Sequence, residues 1–129
     1  MKLLKYLTFF LAIVIISCNK DEDHPMIVVN NPTLAKGSLG EYVSGKELKI
    51  TGIASDDKSM KDMYISIYDK KTKKILFEVK PNVKNLKTFN FNESWTPSFN
   101  EKTTVVLLII VNDQADKAHT FESDIEIFI

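Results

Sequence analysis

The sequence predicts an all-β domain of two packed sheets, and three observations predict it. Short runs of β-branched and aromatic residues recur along the chain with polar turn clusters between them. Within these runs apolar and polar residues alternate, most cleanly where Met63, Ile65 and Ile67 interleave with Tyr64, Ser66 and Tyr68. Beyond the apolar leader, no segment sustains the 3.6-residue spacing of an amphipathic helix. Several short strands at regular spacing argue for a sandwich or a barrel.

The elements follow in order. Residues 1–17 carry Lys2 and Lys5, then an apolar run from Tyr6 to Ile16 broken only by Thr8. A basic start, a short apolar core and a small residue before the cut are the parts of a secretory signal peptide. The run is about half of the ~20 residues that span a bilayer. Met26 to Asn30 reads as a first strand, ended by Asn31-Pro32 because proline has no N–H for a ladder. Thr33 to Lys46, with Gly37, Gly40 and Gly45, reads as a loop. Glu47 to Ala54 is a second strand, and Ser55 to Ser59 a turn cluster. Asp62 to Tyr68 and Lys73 to Lys80 form the third and fourth, the latter stopped by Pro81. Leu86 to Phe91 is the fifth, with Phe89 and Phe91 on one face, and Asn92 to Lys102 an irregular loop holding Trp95 and Phe99. Thr103 to Val111 is apolar almost throughout, the mark of a central strand covered on both sides. Ala118 to Ile129 is the last, with Ile125, Ile127 and Ile129 facing one way.

Seven strands, labelled A, B, C, C′, E, F and G, give the count of an immunoglobulin-like or fibronectin-III-like antiparallel sandwich. The domain expectation is a leader over 1–17, a tether over 18–24 and one sandwich over 25–129. Without Lys2 and Lys5, fifteen lysines face seventeen acids, a net charge of about −2. That is no footprint for nucleic acid, which needs a clustered basic face. The chain has no arginine, so the bidentate clamp for phosphate or carboxylate is missing. One cysteine allows no disulfide framework.

That cysteine lies where the apolar run stops. Ile15-Ile16-Ser17-Cys18 resembles the lipobox of bacterial lipoproteins: aliphatic, tolerant, small, cysteine. The resemblance implies a diacylglycerol thioether on Cys18 and cleavage between Ser17 and Cys18. Two or three acyl chains hold a protein stably, since each buried methylene contributes ~0.8 kcal/mol and one chain alone is marginal. Lys20, Asp21, Glu22 and Asp23 resemble the surface-export signal of Bacteroidota lipoproteins, and Asn19 fits outer-membrane sorting. The expected address is the outer membrane, exposed at the cell surface.

The combination of Cys18 to Asp23, Ser55-Asp56-Asp57 before Met60 to Tyr68, Phe89-Asn90-Phe91 with Trp95, and Val111-Asn112-Asp113 before Asp124 to Ile127 is similar to short Bacteroidota lipoproteins, nearest to the domain of unknown function 4625 family. Members of that family carry mid-domain histidine-rich segments. This chain has only His24 and His119, so a metal role does not carry over.

Candidate sites follow from the strand order. The sandwich topology would bring Asp56 and Asp57 near Asn112, Asp113 and Asp116, a set of oxygens that calcium would need in greater number, six to eight. Turn formation is the competing role of these acids. No nucleophile sits in a recognisable motif with either histidine, so no catalytic residue is assigned and a non-enzymatic protein is expected. No cofactor is expected beyond the acyl anchor and, as the lesser reading, calcium. Candidate partner contacts are Trp95 and Phe99, which would otherwise plug the open end of the sandwich, and Tyr64 and Tyr68 on an outer strand face. Tyr42, Lys70 and Lys71 complete the set, at the end opposite the tether. The expected function is a membrane-anchored module that binds a glycan or an envelope or host protein; a purely structural envelope component and a calcium-stabilised module are the alternatives.

Overall fold

The computed structural model describes residues 24–32 and 42–129. Cys18, Ser17 and the Lys20 to Asp23 signal lie outside the described residues. The described chain is all β, with no helix. Its strands are β1 (Met26–Asn31), β2 (Tyr42–Val43), β3 (Leu48–Ser55), β4 (Met60–Asp69), β5 (Ile75–Val79), β6 (Thr88–Trp95), β7 (Thr103–Asp113) and β8 (Ala118–Phe128). They form a three-stranded sheet in the order β1-β3-β6 and a five-stranded sheet in the order β2-β8-β7-β4-β5.

Alternation sets the faces. Along β3, Leu48, Ile50, Gly52 and Ala54 are buried while Lys49 and Ile53 are exposed. From the other sheet Met63, Ile65 and Ile67 of β4, Leu107, Ile109 and Val111 of β7, and Ile125 and Ile127 of β8 turn inward to meet them. Each such fully buried side chain contributes about 1.5–3 kcal/mol over its exposed state. Val83, on the connection between β5 and β6, closes the same cluster.

Four expectations need correction. Eight strands stand among the described residues where seven are expected. The extra one, β2, lies inside the segment read as a loop and pairs with β8 in parallel through Tyr42↔Ile127 and Val43↔Phe128. Two residues carry too little periodicity to register in a sequence pattern. The fifth strand is shifted: β6 starts at Thr88 and runs to Trp95, so Trp95 is a strand residue opposite Leu48 rather than part of a loop. The reason is long-range: β3 offers an eight-residue ladder, and β6 pairs with it along its whole length. The central strand β7 is flanked on both sides by strands, and among the described residues the second sheet packs on one of its faces only. Val106 is buried on its outer side, while Leu108 and Ile110 remain half-buried there. Ile129 lies past the end of β8 and is exposed, unlike Ile125 and Ile127.

The edges are guarded by simple means. β1 carries a register shift between Val29 and Asn31. On β6, Glu93 shares the inner face with Ile50 at a sheet edge. A bulge and an inward-pointing charge both oppose edge-to-edge pairing.

Candidate functional site

The β3–β4 and β7–β8 turns and the start of β1 share one end of the sandwich, since Met26 pairs with Ser55 and Met60 with Asp113. The acids there are engaged in turn chemistry. Asp56 Oδ1 accepts from the Lys58 and Ser59 amides at 2.9 and 3.1 Å. Asp113 Oδ1 accepts from the Ala115 and Lys117 amides, each at 2.8 Å. Asp116, whose φ of 59° suits an Asp in a turn, pairs with Lys61 at 2.9 Å. Asn112 donates to Asp62 at 2.6 Å, and Asp57 is exposed. Asp56 and Asp113 are 5% and 1% exposed, and the Oδ2 of each is buried without a hydrogen-bond partner. His24 and His119 line one groove of ≈ 460 Å³ with Asp56 and Asp57. Among the described residues, no three His, Cys, Asp or Glu side chains gather as a metal-holding group.

At the other end, Trp95 and Phe99 meet edge to face with ring centroids 6.2 Å apart, and both pack against the core. Ser44 fixes Phe99: its hydroxyl accepts from the Phe99 amide at 2.7 Å and donates to the Phe99 carbonyl at 3.1 Å. Gly45, at a φ of 85° that favours glycine, donates its amide to the Pro97 carbonyl at 2.8 Å. The short β2 strand thus positions the segment after β6. Tyr42 also packs against the core. Lys70 is paired with Asp124, and the Lys71 amide donates to Asp69 Oδ1 at 2.8 Å.

The outer face of the five-stranded sheet carries a row of side-chain contacts among the described residues. Tyr64 and Tyr68 stand there opposite Ile110 and Val106 of β7. Tyr64 donates its hydroxyl to Glu78 at 2.9 Å, and Tyr68 donates to Glu122 at 3.2 Å. Lys80 and Lys73 lie over the two rings, 5.8 and 5.7 Å from their centroids. On β8, Glu122, Asp124 and Glu126 form an acidic row, two of them paired with Lys70 and Lys102. A groove of ≈ 770 Å³ runs beside Tyr64, lined also by Lys61, Lys80, Asn82 and Lys84. Sequence reasoning found the tyrosines but not their partners Glu78, Glu122, Lys73 and Lys80. The period-two acids of β8 were the available signal; which strand they face was not.

Burial, and after it the Glu122 charge and hydrogen bond, hold the Tyr68 phenol above its ordinary pKa of 10.0. Because the folded value is raised, this contribution is whole below pH 10 and is lost as pH climbs through the folded value. In an absorbance titration, the component missing from Tyr68→Phe is expected to ionise above 10.0. Glu122→Gln is expected to lower that midpoint. An unchanged midpoint would show that Glu122 does not act on the phenol. Asp69 shifts the opposite way: the Thr72 and Lys71 amides hold it below its ordinary 3.8, so its contribution is present above that pH and fades as pH falls through the folded value.

Together the described strands form a two-sheet β-sandwich, with Trp95 and Phe99 packed on the core at one end and Tyr64 and Tyr68 on the outer face of the five-stranded sheet. No protein-family model matches the chain, and no curated protein is detectably similar to it.

Proposed function

We propose that this chain is a lipid-anchored, non-catalytic immunoglobulin-like module of a bacterial outer membrane, exposed at the cell surface and binding a glycan or protein partner through the tyrosine face. The observation that carries the binding reading is the pair Tyr64 and Tyr68 on a sheet face that no other described element covers, ringed by paired charges. Aromatic rings with a polar tip offer flat contact area at low entropic cost. Trp95 and Phe99 are the weaker candidates because both pack on the core.

The immunoglobulin-like assignment draws support from strand order. With β1, β3 and β6 as A, B and E, and β8, β7, β4 and β5 as G, F, C and C′, the sheets read A-B-E and G-F-C-C′. The envelope address rests on the lipobox ending at Cys18 and the charged residues after it, and the Bacteroidota resemblance rests on the same residues together with the domain motifs.

The test is binding of the lipid-free chain from Asn19 onward to arrays of surface glycans and envelope or host matrix proteins. Tyr64→Ala with Tyr68→Ala is expected to weaken the strongest hit at least tenfold, about 1.4 kcal/mol. Retained affinity in a double variant that melts like the parent would move the site elsewhere.

A further inference from the structure

The two outer faces of the sandwich differ in charge. On the three-stranded sheet the register places Met26 by Ser55 and Thr88, Val28 by Ile53 and Asn90, and Asn31 by Thr51 and Asn92, with Lys49 by Ser94. None of these outward positions is acidic, and Lys49 is the one charge. The opposite face carries Asp62, Glu78 and the Glu122-Asp124-Glu126 row. Met26, Val28 and Ile53 are 61%, 52% and 38% exposed. Val28 and Ile53 are direct cross-strand partners, and Met26 is two residues along the same face. They therefore form a single apolar patch, rimmed by Thr, Asn and Ser.

We propose that this face docks on the lipid surface of the leaflet that holds Cys18. The inference rests on the lipid anchor proposed above. Seven residues separate Cys18 from Met26. Fully extended, that stretch reaches about 28 Å, so the domain stays beside the bilayer. The tether leads directly into β1, which carries two of the three apolar residues. Three such side chains would bind a membrane weakly by themselves, but the anchor converts their insertion into an intramolecular step at high effective concentration. Met26, Val28 and Ile53 enter the headgroup boundary as the apolar face of an interfacial helix does. Thr51, Asn90 and Asn92 meet polar headgroups and Lys49 meets phosphate, and no outward strand position of this face sets a carboxylate against an anionic leaflet. The domain then lies flat rather than standing on its Asp56–Asp113 end, and Tyr64 and Tyr68 face away from the membrane.

The test uses the full lipidated chain in vesicles of phosphatidylethanolamine and phosphatidylglycerol. Cys18 is the only cysteine, and in the lipidated chain its sulfur carries the lipid, so Asn90→Cys, Thr120→Cys and Asp116→Cys can each take one fluorophore. Quenching by headgroup-labelled lipid is expected to be several-fold stronger at Asn90 than at Thr120 or Asp116. Adding Ile53→Glu is expected to remove that difference while the chain still floats with the vesicles. Equal quenching at Asn90 and Thr120, or the strongest quenching at Asp116, overturns the docking face and leaves the anchor standing. Concentration-dependent protection of Asn90 in the lipid-free chain assigns the patch to a second copy and also overturns it. A chain that does not float, with Cys18 unmodified by mass, removes the anchor reading and the docking face with it.

Discussion

Replacing Phe91 by alanine is expected to destabilise the domain by about 3–5 kcal/mol, the range for an aromatic removed from a packed core. Phe91 is among the largest fully buried side chains of the chain. It projects from β6, a sheet edge, across Gly52 of the neighbouring strand. Its ring fills the space that a side chain at position 52 would take. Truncation therefore opens a void above bare backbone, where β3 has nothing to move in. Phe91→Leu retains part of that volume and is expected to cost less. Urea unfolding followed by the fluorescence of Trp95, the single tryptophan, measures both. A Phe91→Ala midpoint close to the parent's would show that the ring is not part of the core's cohesion.

The complementary change, Gly52→Ala, is expected to cost about 3 kcal/mol, the upper part of the range for overpacking. The added methyl would lie far inside contact distance of the Val28 carbonyl and the Phe91 ring. The ring can rotate, but the carbonyl belongs to the backbone of β1. Relief requires β1 to move away from β3, so amide exchange along β1 is expected to quicken more than along β7. Combining Gly52→Ala with Phe91→Leu frees the ring contact and leaves the carbonyl contact. The double variant should therefore recover only part of the loss, with a measurable coupling between the sites. Stability of Gly52→Ala within about 1 kcal/mol of the parent would contradict the close approach, since relaxation of β1 would then be nearly free.

Both results bear on function through geometry. β1 is the first described strand, and the outer face of its sheet carries the patch proposed to meet lipid. Loosening β1 would disturb that patch and leave the tyrosine face, on β4 in the other sheet, in place. The two proposed surfaces are thus separable by mutation.

The site was legible in part. Period-two spacing alone put Tyr64 and Tyr68 on the face opposite Met63, Ile65 and Ile67, because a strand turns successive side chains to opposite sides. The turn chemistry of Asp56 and Asp113 was legible for the same local reason: a short carboxylate reaches amides two to four residues ahead. Trp95 reads as a loop residue in the sequence because Asn92-Glu93-Ser94 has no apolar alternation, and only pairing with β3 makes the segment a strand.

What the sequence by itself determined is what depends on neighbours a few residues away: the approximate place of most strands, their inward and outward faces, and the turns between them. What only the tertiary structure decided is which strands lie side by side. The partition into sheets of three and five, the parallel contact of β2 with β8, and the acid-free outer face of β1-β3-β6 depend on it. So do the ties from Lys61 to Asp116 and from Tyr68 to Glu122, which join residues 55 and 54 positions apart. The physical reason is that an alternating pattern states which side of a strand is apolar. It does not state which other strand will cover that side, since every β-branched face offers the core nearly the same free energy per unit of buried area.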